Sequence, residues 1–459
     1  MKVNLFYVTK VAVVASVGGF LFGFDLVIIS GALPFLKSDF QLSEAMQGFA
    51  VSSAILGSIA GPLGGLWFAD RLGRRKTMML SGILFMLSAL GCAFSIGIWD
   101  FSFYRFLGGI GIGLAMISSP IYIAELSPPH LRGVLVNVNQ LSNVIGINMA
   151  VVSCYLFSFE GWGWRWMMAS QVVPTTVLLL GLFTIPESPR WLVIRHKNTA
   201  ARKILTKING KEAAEAEVER IASSLQTETG ASFRELLSPG IKSALLIAIA
   251  LMVLQQINGV NMMLLYAPSI MADAGVTVGS HAILSSMPVY IFIFISTLIS
   301  FPLIRRFDRR TLLIASVAFM AIGHVAMAVN FQQEWPPLFT LIPMLIGTGA
   351  FTMGLAPLGW IIISEIFPNR IRGKATAVVC FFLYLSSFIT AQLFPMVNHW
   401  FITATGNPSG VYWIFAGVCT IGVLFCWYKV PETKGLSLEK IGEFWQTRVK
   451  NKSVTSSNK

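Results

Sequence analysis

An all-α membrane protein is predicted: twelve transmembrane helices in two homologous six-helix bundles, joined by a cytoplasmic helical linker. Three observations predict it. Hydrophobic residues make up 55% of the chain and charged residues 12%, against roughly a quarter charged in a soluble protein. Twelve apolar runs reach the about 20 residues that a helix needs to cross a bilayer. The charged segments between the runs also occur twice, in the same order. Asp70-Arg71-Leu72-Gly73-Arg74-Arg75 returns after 235 residues as Arg305-Arg306-Phe307-Asp308-Arg309-Arg310. Glu125 followed by Arg132-Gly133 returns after 240 as Glu365 followed by Arg372-Gly373. Pro186-Glu187-Ser188-Pro189-Arg190 returns after 245 as Pro431-Glu432-Thr433-Lys434-Gly435. A nearly fixed offset at three places marks two copies of one membrane half.

The elements follow in order. The first run starts near residue 10; it is long and lacks a small-residue cleavage site, so it reads as a retained span. Runs starting near 47, 77, 101, 134 and 165 complete a first bundle over residues 1–186. Gly18-Gly19, Gly23 and the Gly108–Gly113 stretch allow the close helix contact that membrane packing needs. Residues 187–240 are the one extended polar stretch. Within it Lys211 to Leu225 has helix-forming composition, with Val218, Ile221 and Leu225 at helical spacing; a set of short cytoplasmic helices and a solvated linker both fit. Runs near 241, 280, 311, 337, 371 and 411 form a second bundle over 241–431, and 432–459 reads as a cytoplasmic tail that is polar, basic and disordered after Trp445. Pro34, Pro120, Pro268, Pro288 and Pro357 mark places where helices can bend.

Orientation follows from the basic residues. With both termini in the cytoplasm, all but Lys37, Arg105 and Arg165 of the 34 Lys and Arg lie in cytoplasmic segments, as the positive-inside rule requires. The +13 net charge is therefore a topology signal, and it excludes a nucleic-acid binder, whose basic residues would share one soluble face. Cys92, Cys154, Cys380, Cys419 and Cys426 all sit in apolar runs without metal or disulfide spacing. No nucleophile–base pair, metal-ligand spacing or Gly-rich phosphate loop is legible, and His324 stands alone in an apolar run, so an enzyme and a cofactor are not expected.

Two constellations carry chemistry. Asp25 lies near the middle of the first run, where a charge costs at least ~2.5–3.5 kcal/mol and needs a partner, a cavity or a proton. Arg71, Arg74, Arg75, Glu125, Arg132, Glu187 and Arg190 gather at the inner helix ends of the first half, and Arg309, Arg310, Glu365, Arg372 and Glu432 at those of the second. Opposite charges there can hold bundles together in one state and release them in another, with Arg suited to bidentate carboxylate pairing. Topology anchoring accounts for the Arg residues but not for matching Glu residues in both halves. Arg305 and Asp308 depart from the first-half motif, so the second cluster is expected to be wired differently.

The repeated loop motifs resemble the major facilitator superfamily. Gly23-Phe24-Asp25 with Ser30-Gly31-Ala32, Arg105-Phe106, Pro186–Arg190, Gln255-Gln256 through Asn261, Trp360 through Arg372, and Pro431–Gly435 are similar to its sugar porter family over about residues 15–440. The resemblance implies the major facilitator fold and alternating access. It pairs Arg105 with Asp25, and Asp25 matches an aspartate of the proton symporters, where the passive facilitators are uncharged. It also implies sugar contacts at Phe22, Gln140, Gln255, Gln256, Asn261 and Trp360; amides suit sugars because each offers a carbonyl and an amine. Gln255, Gln256 and Asn261 would splay around a straight helix, so a break at Asn258-Gly259 is expected. Leu265, Ile293, Leu383 and Ala356 depart from the family's pocket.

The expected function is proton-coupled symport of a monosaccharide or polyol by a monomer in the cell membrane. A passive uniporter, with Asp25–Arg105 a static pair or Arg105 reaching outward, and a sugar sensor that signals without transport are the alternatives.

Overall fold

A computed structural model describes residues 4–128, 131–159, 162–227, 233–238 and 241–434. Among them are twelve apolar helices of membrane-spanning length and no strand. Lipid offers no hydrogen bonds, so a spanning segment must satisfy its backbone internally, and helices do so. They are α1 (Leu5–Phe40), α2 (Glu44–Gly65), α3 (Arg74–Ala93), α4 (Ile98–Leu126), α5 (Arg132–Leu156), α6 (Trp164–Thr184), α7 (Ile241–Leu265), α8 (Ser280–Arg306), α9 (Arg309–Gln332), α10 (Pro337–Ile366), α11 (Ile371–Thr405) and α12 (Ser409–Lys429). The tail expected over 432–459 lies outside the described residues from Gly435 onwards.

The chain forms two compact units, Met1–Thr229 and Gly230–Lys459. In the first, α1 runs along α5, α4 packs on α2 and α3, and α3 on α6. In the second, α7 packs on α11, α10 on α8 and α9, and α9 on α12. Shifted by six helices, these are the same pairs, so the repeat in sequence is a repeat in packing. Glycine sets the closest approach in the first unit. A Cβ on Gly19 would lie 2.6 Å from the Asn139 carbonyl oxygen of α5, and one on Gly61 2.6 Å from that of Gly113 in α4. Exposed Leu87, Phe103, Val177 and Leu180 in the first unit, and Ile295, Phe319, Ile421 and Leu424 in the second, present the apolar surface lipid requires.

The polar stretch after α6 folds into helices Pro189–Ile194, Asn198–Asn209 and Lys211–Thr227. Trp191, Leu192, Leu205, Ala214 and Val218 bury one another, with Ile221 packed on them; the Leu225 side chain lies outside the described set. This small core is docked under the first unit. Ile208 belongs to the bundle's core with Tyr122, Leu126 and Ile185, and its carbonyl accepts from the Asn4 amide at 3.0 Å. The Trp191 indole N–H donates to the Asp70 carbonyl at 2.8 Å.

Candidate functional site

Inside the first unit α1 and α4 bring Asp25 and Arg105 together, both almost wholly buried. One guanidinium nitrogen, Nη1, donates to Asp25 Oδ2 at 2.9 Å and to the Asp25 backbone oxygen at 3.1 Å. The other carboxylate oxygen, Oδ1, and Arg105 Nε have no hydrogen-bond partner among the described residues. Ser88 and Cys92 on α3 lie against this pair, and Gly108 leaves room for it: a Cβ there would be 2.5 Å from Ser88 Oγ and 3.6 Å from Asp25 Oδ1. A buried carboxylate with one oxygen held and one open can take a proton without first breaking every contact.

In the second unit α7 breaks where Asn258-Gly259 interrupts it. Helix ends at Ile257 and resumes at Val260, and Gly259 takes φ +87°, a left-handed conformation that favours glycine. Asn258 closes both ends. Its Nδ2 donates to the Leu254 and Gln255 carbonyls at 3.0 and 2.5 Å, and its Oδ1 accepts from the Val260 amide at 2.9 Å. The break brings Asn261 back to Gln256: Asn261 Nδ2 donates to Gln256 Oε1 at 2.7 Å. Gln255 extends this amide chain, its Oε1 accepting from Gln256 Nε2 at 3.5 Å. Its Nε2 donates to the carbonyls of Leu355 and Ala356 at 3.1 and 3.0 Å. Those groups close a π-helical turn, Phe351–Leu355, in α10. Wider turns release carbonyls from the regular ladder, and Gln255 with Ser316 takes them up; the Ser316 hydroxyl donates to the Ala350 carbonyl and accepts from the Leu355 amide. Gln255 is thus bound to the helix that carries Trp360.

Of the remaining predicted contacts, Phe22 is half-buried, Gln140 exposed and Trp360 37% exposed. Leu265, Ile293 and Leu383 are buried at 3, 4 and 5% exposure. Two polar groups that could have replaced the lost handles are already engaged: the Tyr266 hydroxyl donates to the Ala391 carbonyl at 2.8 Å, and Asn330 Nδ2 to Thr340 Oγ1 at 2.9 Å. His324 is fully buried beside the α7 break, its ring 5.4 Å from that of Phe415 and 6.5 Å from that of Tyr412.

The helix-end charges form one cluster in each unit. In the first, Arg74 Nη2 meets Glu125 Oε1 and Arg74 Nε meets Oε2, both at 3.1 Å, while Arg74 Nη1 reaches the Ala69 carbonyl at 3.1 Å and Asp70 at 2.9 Å. The Ser188 hydroxyl donates to Glu125 Oε2. Glu187 binds backbone instead of an arginine side chain. Its Oε1 accepts from the amides of Arg75 (3.0 Å) and Ser188 (2.8 Å), capping the start of α3. A carboxylate there also meets the positive end of the helix dipole. Arg71 lies over the Trp67 ring at 4.9 Å, and Arg132 is exposed at the start of α5.

The second cluster repeats the first almost atom for atom. Arg309 Nη2 meets Glu365 Oε1 at 3.3 Å, Arg309 Nη1 reaches the Ile304 carbonyl at 3.2 Å, and Thr433 Oγ1 donates to Glu365 Oε2 at 2.5 Å. Glu432 accepts from the amides of Arg309 (3.2 Å) and Arg310 (2.9 Å) at the start of α9. The different wiring expected from Arg305 and Asp308 does not occur at the arginine–glutamate pair. The pair keeps its partners but meets once where the first meets twice, and the outer contact changes as well. Asp70 bonds Arg74 in the first unit, whereas Asp308 has Lys434 Nζ at 3.9 Å in the second. Arg372 Nη2 donates to the Phe367 carbonyl at 3.2 Å. No separate sequence signal marks Ser188 and Thr433 as glutamate partners, although both stand at the shared 245-residue offset beside Glu187 and Glu432.

A model of the "Sugar (and other) transporter" family matches residues 11–445. The chain belongs to this family. It is therefore a multi-pass membrane transporter of the major facilitator fold, in a family of transporters rather than of enzymes. It is 34% identical to the D-xylose-proton symporter of Escherichia coli K12, over 99% of both chains. It is 36% identical to the arabinose-proton symporter of Bacillus subtilis, over 96% of this chain and 95% of that one. Among solved structures, the inward open xylose transporter of E. coli superimposes with a TM-score of 0.84 at 33% identity, covering 96% of this chain and all of that one. The same symporter bound to 6-bromo-6-deoxy-D-glucose gives 0.79 at 35% identity, over 96% of this chain and all of that one.

Proposed function

We propose that this chain carries a monosaccharide or polyol across the cell membrane in symport with protons, by alternating access. The observation that carries the reading is the buried Asp25–Arg105 pair, with Asp25 Oδ1 left without a hydrogen-bond donor among the described residues. Removing one partner from a buried ion pair costs about 3–5 kcal/mol, so a proton on Asp25 frees Arg105 only if other groups hold it. The Asp25 backbone oxygen is one such group at 3.1 Å. Protonation then exchanges a charged contact for a neutral one, and the free-energy difference links proton binding to rearrangement of α1 against α4. Relatives named as proton symporters of xylose, arabinose and galactose support the same reading.

Substrate recognition is assigned to the Gln256–Asn261 pair, Gln140, Phe22 and Trp360, with Gln255 bonding α7 to α10. The apolar Leu265, Ile293 and Leu383 favour a substrate with fewer hydroxyls on that side than glucose has, because an unpaired buried hydroxyl costs roughly 1–3 kcal/mol. The clusters around Arg74–Glu125 and Arg309–Glu365 serve as the cytoplasmic gate, with Arg71, Arg75, Arg132, Glu187, Arg190, Arg372 and Glu432. The working parts are bundles 1–186 and 241–431, linker 187–240 and tail 432–459, in a monomer with both termini in the cytoplasm and no nucleic-acid partner. The direct experiment is uptake into proteoliposomes across an imposed pH gradient, with pentoses, hexoses, deoxysugars and inositols. Accumulation of one class above equilibrium is expected; equilibration without accumulation for every sugar would make the protein a uniporter.

A further inference from the structure

We propose that His324 is a positioning residue for the sugar site: when a sugar engages the Gln256–Asn261 pair, the His324 imidazole donates to the Asn258 carbonyl and braces the broken α7. The role depends on the sugar reading above, and His324 performs it without touching the sugar. Two neighbouring groups are left half-satisfied here. The His324 ring is fully buried, and neither of its nitrogens has a hydrogen-bond partner among the described residues. The other group is the Asn258 backbone oxygen. In a continuous helix the Met262 amide would serve it. At the break the Met262 and Met263 amides both donate to the Gly259 carbonyl instead, each at 3.1 Å. The Asn258 oxygen accepts from the Cys419 thiol, a weak donor, at 3.6 Å. A carbonyl has two lone pairs, so a better donor can still be taken up. The imidazole is turned towards it. A Cβ on Gly259 would lie 2.8 Å from His324 Cε1, the carbon between the two ring nitrogens, so the polar edge of the ring faces the break, with the Asn258 carbonyl beside it.

The surroundings hold the ring and leave the turn to move. His324 packs on Tyr412 and Phe415 of α12. Tyr412 stacks on Phe331 at 5.4 Å and Phe415 on Phe394 at 6.3 Å, and Phe394 lies 4.9 Å from Tyr266, just past the end of α7. Closing the bond therefore falls to the Asn258–Gly259 turn. In the structure the two halves of α7 are tied across the break by the 2.7 Å bond from Asn261 Nδ2 to Gln256 Oε1. A sugar hydroxyl that donates to Gln256 Oε1 competes with that tie, and the turn is released to settle on His324. A buried donor without a partner costs free energy, and pairing it only in the sugar-loaded state adds to sugar affinity. Space filling alone would favour an apolar ring at this place, because an unpaired imidazole buried among aromatic rings is destabilising.

The test is calorimetry on the full-length protein in nanodiscs, titrated with D-xylose, arabinose and 6-deoxy-D-glucose, in the wild type, His324→Phe and His324→Gln. Phenylalanine keeps a ring and removes the nitrogens; glutamine keeps a donor and removes the ring. For a sugar that binds the wild type, His324→Phe should weaken binding about five- to tenfold, the equivalent of one hydrogen bond. It should do so without lowering the thermal midpoint of the sugar-free protein, and His324→Gln should recover most of the affinity. Histidine-labelled nitrogen NMR supplies the direct signature. His196, His281 and His399 are exposed, so the buried ring stands apart by its slow exchange with water. Saturating sugar should move that ring N–H proton downfield. The wild-type signal decides the matter where a variant fails to fold. Unchanged sugar affinity in His324→Phe overturns the proposal, as does a ring signal that ignores saturating sugar. Weaker binding matched by an equal loss of stability without sugar assigns His324 to packing and overturns it too. Binding of none of the three sugars by the wild type contradicts the sugar reading itself, and the role falls with it. Binding weakened in Gln256→Ala but untouched in His324→Phe contradicts the role alone.

Discussion

The two helix-end clusters share a geometry but differ in burial, and that difference predicts unequal energies. In the first unit the Arg74 and Glu125 side chains are 8% and 9% exposed and meet through two contacts of 3.1 Å. In the second the Arg309 and Glu365 side chains are 17% and 28% exposed and meet once, at 3.3 Å. Coulomb attraction at this separation is about 5 kcal/mol at an effective dielectric of 20 and about 1 kcal/mol in water. The buried pair belongs nearer the first limit and the wetter pair nearer the second. Arg74→Ala should therefore cost about 3–5 kcal/mol, because Glu125 is left buried and uncompensated. Arg309→Ala should cost about 1 kcal/mol. The assay is a double-mutant cycle for each pair, with unfolding free energies from denaturant titration in mixed micelles. Coupling for Arg74–Glu125 should exceed that for Arg309–Glu365 by about 2 kcal/mol. Equal couplings, or a larger one in the second unit, would refute the claim that burial ranks the two clusters.

Three further outcomes follow from the geometry. Glu187→Ala and Glu432→Ala each remove a carboxylate cap from a helix start, so each should lower stability by about 0.5–2 kcal/mol in thermal or denaturant unfolding. Gln256→Ala and Trp360→Ala should weaken sugar binding by about 1–3 kcal/mol in calorimetry, whereas Gln255→Ala should chiefly lower stability, by about 1–3 kcal/mol, by stranding the Leu355 and Ala356 carbonyls. Ile293→Asn with Leu383→Gln should shift a competition series towards glucose or xylose; a wild type that already prefers glucose to its deoxy analogues by about tenfold would contradict the apolar-wall argument.

Much of the fold was legible because lipid simplifies it. The spans follow from length and apolarity, and the offsets of 235, 240 and 245 residues placed Arg309, Glu365 and Glu432 in positions matching Arg74, Glu125 and Glu187. The α7 break was legible from Asn258-Gly259, since glycine permits the left-handed turn found there. The choice of atoms was not. An offset aligns positions without saying whether Glu187 meets an arginine side chain or a backbone amide, and it meets amides. The engagement of Gln255 also escaped the sequence, because the π turn at Phe351–Leu355 has no periodic signature of its own. Composition alone left a docked linker and a solvated one equally open; the burial of Trp191, Leu205 and Ile208 decides for docking.

The central claim is that Asp25 carries the proton, and Asp25→Asn tests it most directly. The substitution keeps shape and removes the charge while leaving the Gln256 and Asn261 amides untouched. In proteoliposomes with an imposed pH gradient, the variant should fail to accumulate sugar, while exchange between two sugar-filled sides continues near the wild-type rate. Accumulation by the variant to the wild-type level would contradict the account and make the Asp25–Arg105 pair a structural element only.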